Sequence, residues 1–240
     1  MATATFLGTG SYLAQGRYWN SFVLDGTVLV EPAPTALPHL RRCGIDAGDL
    51  EAVVISHFHP DHTFGWPFLL LELLRVGHDR PLTVVGPPGV EGFLAEMLQL
   101  AAVPDIARAA EALCDLRYVE VDGTWQSAGP FRLRGVEVDH VDHLRCFGYL
   151  LERDGRTVAY SGDCRPCRGL DELAGATDVL VLECNGAHPP PKVHHDPDDV
   201  RALRARFPRP RFVLTHLGAD LDLDGLADTV VPDDFDVLEL

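Results

Sequence analysis

Four side chains able to bind a metal fall within one short stretch, Ser56-His57-Phe58-His59-Pro60-Asp61-His62. Imidazole nitrogens and carboxylate oxygens are ligands for divalent cations such as zinc. The run Val53-Val54-Ile55 comes directly before them and reads as a buried strand. Alternate residues of an extended segment share a face, so His57 and His59 can meet one ion. Asp61 and His62 follow where the chain turns toward a helix, within reach of a second ion. Paired cations make water a nucleophile near neutral pH, so the expected chemistry is hydrolysis.

Two ions need about six to eight ligands, more than this stretch holds. Other candidates end predicted strands, where loops can converge. His140 or His143 follows the strand that begins at Phe131, Asp163 closes Tyr160-Ser161-Gly162-Asp163, and His216 closes Val213-Leu214-Thr215-His216. Alternation along Val136-Val138-His140 favours His140, while the loop before Gly148-Tyr149 leaves too much chain after His140 and slightly too little after His143. Both stay in the candidate set.

The elements that must position these residues are legible as alternating hairpins and strand–helix units. Asp25-Gly26 and Asp154-Gly155 are hairpin turns between apolar runs. Strands are expected at Ala4–Leu7, 21–24, 27–30, 52–55, 82–85, 117–121, 131–140, 147–152, 157–161, 178–183, 211–215 and 237–240. Helices are expected at 35–42, 68–74, 90–100, 101–114 and 196–207. The last has an acidic first turn and basic residues near its end, which suits the helix dipole. Pro189-Pro190-Pro191 predicts a stiff loop. Two sheets packed face to face with helices outside account for this order.

Composition bounds the function. The 240 residues suit a single domain over 1–240 with a large core. A net charge of −16 and a single lysine, Lys192, oppose binding of a long polyanion, which needs cationic neutralisation. A small-molecule substrate is therefore expected, and long nucleic acid is not. No leader or membrane-spanning segment is visible, so a cytoplasmic location is the default. The six cysteines are too scattered for a disulfide framework. The apolar stretch Phe68–Leu74 would suit a homodimer surface or core packing equally well.

With these pieces in place, the chain resembles the metallo-β-lactamase-fold hydrolases, and within them the branch holding ribonuclease Z, arylsulfatase-like and cyclic phosphodiesterase enzymes. The matching pieces are Phe6-Leu7-Gly8-Thr9-Gly10-Ser11, His57 to His62, Phe147-Gly148-Tyr149, Ser161-Gly162-Asp163 and Leu214-Thr215-His216. The resemblance implies an α/β fold, a four-layer αββα sandwich with a dinuclear site at one edge of the sheets. It assigns His57, His59 and the third histidine to one ion. Asp61, His62 and His216 go to the other, with Asp163 bridging. Zinc is the default, with manganese or iron as alternatives. Catalytic roles follow for Asp61 and for Glu183 with His195, the last protonating a leaving oxygen.

Some positions depart from that pattern. Cys164 stands where threonine is common and forms Cys-x-x-Cys with Cys167, which suggests a structural or incidental pair. Glu31 replaces a common aspartate. Arg17, Trp19 and Asn20 are candidate pocket residues. Only about twenty residues separate the third histidine from Ser161-Gly162-Asp163, which leaves no room for the long insertion that grips tRNA. The leading expectation is a small or cyclic phosphodiester. An ester, thioester or lactone hydrolase is the alternative, and a non-catalytic metal-binding scaffold is the rival from another class.

Overall fold

The computed structural model describes residues 2–113, 115–186, 191–219, 221–226 and 228–240. Its first half runs β1 (Thr3–Gly8), β2 (Ser21–Leu24), β3 (Val28–Val30), α1 (Ala36–Arg42), β4 (Ala52–Val54), α2 (Pro60–Thr63), α3 (Trp66–Val76), β5 (Leu82–Gly86), α4 (Val90–Leu100), α5 (Pro104–Leu113) and β6 (Leu116–Glu120). The second half runs β7 (Gln126–Ala128), β8 (Phe131–Val138), β9 (Cys146–Arg153), β10 (Arg156–Tyr160), α6 (Arg168–Gly175), β11 (Val179–Glu183), α7 (Pro197–Arg206), β12 (Arg211–Thr215), β13 (Thr229–Val230) and β14 (Val237–Glu239).

Each half builds one sheet, and β14 crosses back to join the first, which gives two seven-stranded sheets ordered β14-β1-β2-β3-β4-β5-β6 and β13-β12-β11-β10-β9-β8-β7. In the first, β14, β1, β2 and β3 pair antiparallel, and β3 through β6 pair parallel. The second repeats this pattern, antiparallel from β7 to β10 and parallel from β10 to β13. Strands consecutive in sequence supply the antiparallel pairs apart from β14–β1, and helical crossovers supply most of the parallel ones.

The continuous apolar strands are explained by burial on both faces. Val54, Phe22 and Val181 point between the sheets, where they pack with Phe6, Tyr149 and Tyr160. Their neighbours Val53 and Val23 face α1, α3 and α4 on one side. Leu180 faces α6 and α7 on the other. The layers are thus helix, sheet, sheet, helix. Gly77 ends α3 in the left-handed conformation, and a capping box between Asp196 and Asp199 starts α7.

Several boundaries differ from the sequence expectation. Strand β8 stops at Val138, so His140 lies beyond it in a loop. Helix α5 begins at Pro104, and Cys114 falls outside the described residues. Pro189 and Pro190 of the expected stiff loop also fall outside them. Helix α6 was not expected because two glycines interrupt its pattern; only Leu170, Leu173 and Ala174 pack inward. Strands β7 and β13, with three and two residues, are too short to show a period.

Strands β4, β8, β10, β11 and β12 all end at one edge of the sandwich, where side-chain hydrogen bonds join the sheets. Tyr149 Oη donates to the Ile55 carbonyl at 2.6 Å, and the Phe147 amide to the Ser56 carbonyl at 3.0 Å. Asn20 donates to Tyr160 Oη at 2.8 Å and accepts from Thr215 Oγ1 at 2.5 Å. Gly162 sits in the same seam at φ +59°, where an added Cβ would lie 2.6 Å from the Phe147 carbonyl oxygen and 2.9 Å from Ser56 Cβ. Gly162→Ala is therefore expected to destabilise the fold by about 1–3 kcal/mol and to displace Asp163. Urea denaturation checks this, and a midpoint equal to wild type would contradict it.

Candidate metal centre

The turn from β4 into α2 delivers the opening motif. His59 is the N-cap of α2 and Pro60 its first residue, so the chain leaves the strand extended and turns at once into helix. Gly65 then lets the chain pass close to Ala33, whose carbonyl oxygen an added Cβ would meet at 2.0 Å. Asp61 and His62 fall on this first helical turn, and His57 and His59 on the extended segment before it.

Two ligand groups result. His57 Nε2 lies 2.9 Å from His59 Nδ1, and His140 Nε2 lies 3.4 Å from the same atom. Asp163 Oδ2 is 3.9 Å from His57 Nε2 and 4.0 Å from His140 Nε2. On the other side, His62 Nε2 and His216 Nε2 are each 3.4 Å from Asp163 Oδ2. The same two nitrogens are 3.6 and 3.5 Å from Asp61 Oδ2. One carboxylate oxygen thus stands between both groups, and each gathers within the span of a coordinated ion.

The donor set fits cations on a second, independent ground. Among the described residues, both ring nitrogens of His62 and of His216 are buried without a hydrogen-bond partner, as is Asp163 Oδ1. Orphaned buried polar atoms cost a few kcal/mol each unless something satisfies them. A pair of divalent cations would do so. Burial alone would push the Asp163 carboxyl up, but His216 and His62 outweigh it and hold it well below the usual range. Burial likewise disfavours charge on His62, yet Asp163, Asp61 and Glu31 raise its pKa well above the usual value. His57 goes the other way: desolvation, followed by the neighbouring His62, lowers it well below.

Supporting contacts aim the ligands. Ser56 Oγ meets His57 Nδ1 at 2.9 Å, and the Val193 carbonyl accepts from His140 Nδ1 at 2.9 Å. Glu31, fully buried, accepts from the Ser56 amide at 3.2 Å and lies 3.5 Å from His62 Nδ1. Outer-shell partners of this kind fix ring orientation. Glu31 adopts φ +58° and His216 φ +50°, a conformation rare for side-chain-bearing residues that clusters at functional sites.

His143, the alternative third histidine, is exposed, and its ring centroid lies 6.4 Å from that of His59. His140 is the one placed in the ligand group. Glu183 is fully buried and accepts hydrogen bonds from the amides of Cys164, Asn185 and His195 and from His194 Nδ1, all at 3.0–3.2 Å. Both of its oxygens are thus engaged by protein donors.

His195 is not the histidine over the centre. Its Nδ1 is turned to the Cys164 carbonyl oxygen at 2.7 Å. His194 takes the place expected for it. Its ring packs between those of His140 and His216, at 4.8 and 5.6 Å between centroids, and Nδ1 stands 4.0 Å from Asp163 Oδ2. The chain bends at His194, which turns one ring of the pair to the centre and the other to the Cys164 carbonyl.

Arg17 does not line the centre either. It donates to Thr9 Oγ1, to the Pro232 carbonyl and to Asp233, which pins the segment before β14. Asn20 is consumed between Tyr160 and Thr215, and Trp19 is half-buried beside Gly8 and Gly10. The described cysteines are all free thiols. The hydrogen bond between Cys164 and Cys167 lowers Cys167 to about 6 against its burial, and raises Cys164 well above the usual value.

Residues 26–217 match the β-lactamase superfamily domain, and the chain belongs to that family. It is similar to a ribonuclease Z of Mycolicibacterium gilvum, 29% identical over 194 residues that cover 75% of this chain and 68% of the relative. Among solved structures it is similar to the short form of human tRNase Z, with a TM-score of 0.77 and 21% identity over 99% of this chain and 98% of that one. A diphosphatase of the PhnP family gives a TM-score of 0.79 and 19% identity over 100% and 98%. The protein is a metal-dependent hydrolase of the metallo-β-lactamase fold, with a His/Asp cluster suited to divalent metal. Among the described residues, no helix is long and apolar enough to cross a membrane.

Metal analysis by mass spectrometry separates the two loop histidines. His140→Ala is expected to lose at least one ion per chain and His143→Ala none, while Asp163→Ala loses both. Equal ion content in the two histidine variants would overturn this assignment.

Proposed function

We propose that the protein hydrolyses a small or cyclic phosphodiester with two divalent cations, zinc first among the candidates and manganese or iron as alternatives. His57, His59 and His140 would hold one, Asp61, His62 and His216 the other, and Asp163 both. The observation that carries this reading is the convergence of both ligand groups on the single oxygen Asp163 Oδ2, with the His194–Glu183 pair beside it.

Cations held there supply Lewis acidity, which makes water nucleophilic near neutral pH and stabilises charge on phosphoryl oxygens. The chain's own contribution is orientation and a proton. Asp61, with 12% of its side chain exposed, is the ligand carboxylate most open to the site mouth. In this reading it aligns water and substrate. His194 is disfavoured as a cation by burial, but the Glu183 hydrogen bond and charge, with Asp163, raise it to about 9. Burial works against Glu183 too, but His194 and His195 bring it to about 2. In the ion-free protein the pair keeps a proton on His194 near neutral pH; in this reading Glu183 holds the ring through Nδ1, and His194 passes a proton to a leaving oxygen. His194 takes the role first expected of His195.

A phosphodiester is favoured by the ribonuclease and diphosphatase names among the similar proteins. A small one is favoured by the chain between His140 and Asp163, most of which is consumed by β9, its turn and β10. The net charge of −16 also disfavours a long RNA. Turnover of bis(p-nitrophenyl) phosphate by the zinc- or manganese-loaded protein, against thioester and lactone panels, tests the bond class. No phosphodiester turnover with either metal would remove this reading and leave the ester, thioester or lactone alternative.

His194→Ala should slow release of an alkoxide by about 10²–10⁴-fold, and release of p-nitrophenolate, which needs no proton, far less. Equal losses on both would show that His194 donates no proton. In ion-free protein the raised pKa of His194 contributes stability that is complete below about 6.5 and lost as pH rises through about 9. Melting temperature should fall across that window, and Glu183→Gln should flatten the slope.

A further inference from the structure

Directly after Asp163 the chain turns through Cys164-Arg165-Pro166-Cys167, and neither thiol has a part in the centre. Cys164 is fully buried. Cys167 is partly exposed and forms the N-cap of α6. The two thiols are hydrogen-bonded to each other, and both pack against the helix-side core beside Val138 and Leu170. The ring of Pro166 fixes one backbone angle of the intervening pair, so the turn that holds the sulfurs in contact is short and stiff.

The two ends of this turn are anchored differently. On the Cys167 side, the Asp171 amide donates to the Cys167 carbonyl at 3.2 Å. Gly169 is seated so closely on β8 that an added Cβ would lie 2.0 Å from the Glu137 carbonyl oxygen, which clamps the start of α6. The Cys164 side is tied to the centre itself. Its amide donates to Glu183 Oε1 at 3.2 Å, and its carbonyl accepts from His195 Nδ1 at 2.7 Å. The Arg165 amide donates at 2.8 Å to the carbonyl of Asp139, the residue before His140. A disulfide holds its sulfurs at about 2.05 Å, well inside the separation of a hydrogen-bonded pair. With α6 clamped, closing that gap moves the segment that carries Asp163.

We propose that Cys164 and Cys167 form a reversible thiol–disulfide switch that sets how tightly the centre holds its metal. The oxidant is a peroxide, and it meets the partly exposed Cys167 first. The Cys167 sulfur attacks one peroxide oxygen and breaks the O–O bond, which leaves a sulfenic acid and releases one water. The Cys164 sulfur then displaces the hydroxyl of that sulfenic acid; the S–S bond forms, and the hydroxyl leaves with the Cys164 proton as a second water. The two thiols give up two electrons and the peroxide takes them. A small thiol attacking at Cys167 reverses the step, so buried Cys164 needs no route to solvent. The hydrogen bond from Cys164, with backbone hydrogen bonds from Asp139 and Leu170, brings Cys167 to about 6 against its burial, which favours the reactive thiolate there. The inference rests on Asp163 as a metal ligand and is independent of which bond the enzyme cleaves.

Treatment of the zinc-loaded protein with hydrogen peroxide, followed by removal of the peroxide, tests the switch. Peptide mass spectrometry reports the Cys164–Cys167 bond, and competition with a chelator reports zinc affinity. Wild type should form the bond and then bind zinc about 10–100-fold more weakly, with recovery in dithiothreitol. Cys167→Ser should keep the affinity of the reduced protein through the same treatment, and Cys164→Thr should do so where Cys167→Ser fails to fold. Absence of the bond, a bond that leaves zinc affinity within about twofold of the reduced protein, or an equal loss in the variants would overturn the proposal. Reduced protein that binds no zinc would remove the metal assignment of Asp163 and the switch together, whereas zinc binding that oxidation leaves unchanged removes the switch alone.

Discussion

A carboxylate buried among imidazoles is the constraint around which this structure is arranged. Asp163 is 2% exposed and has His57, His62, His140, His194 and His216 within 4.0 Å of one of its oxygens. An isolated charge at that depth would neutralise itself, so the fold must surround it with compensating groups. Those groups come from four chain segments, three of which follow strands that end at the same edge. The two sheets must therefore meet in one relative position, which Tyr149, Asn20, Thr215 and the tight seat of Gly162 maintain.

Around that centre the division of labour follows depth. Ligand atoms converge with few protons to share, and the carboxylates of Glu183 and Glu31 behind them are hydrogen-bonded. Glu183 illustrates the shell: four donors occupy its two oxygens, so its charge acts through His194 and the backbone of Cys164. Glu31 does the same for the Ser56 segment that carries His57. Such residues look catalytic by type and burial, while their contacts are to the groups that carry the ligands.

Much of the architecture was legible in the sequence because it depends on local periodicity and turn chemistry. Asp25-Gly26 and Asp154-Gly155 marked two hairpins, and uninterrupted apolar runs marked strands with two buried faces. What escaped was short or locally weak. Strand β13 has two residues, and α6 carries two glycines whose cost is met by packing on β8. The end of β8 was placed too late because alternation continues through His140, while the hydrogen-bonded ladder to β9 stops at Val138.

By itself the sequence determined the chemistry of the donors: the imidazoles and carboxylates of His57 to His62, Asp163 and His216 are there whatever the fold, and their spacing at strand ends marked them for cations. Tertiary structure decided which of two neighbouring histidines points inward. His140 and His143 differ by one loop turn, and His194 and His195 by one residue, but only a packed edge tells a ring between His140 and His216 from one turned to the Cys164 carbonyl. It also left the ring nitrogens of His62 and His216 without a hydrogen-bond partner among the described residues, which is visible only when every neighbour is in place. Spacing along a chain sets residue type and direction over a few residues; satisfaction of a buried polar atom is a property of all the segments that enclose it.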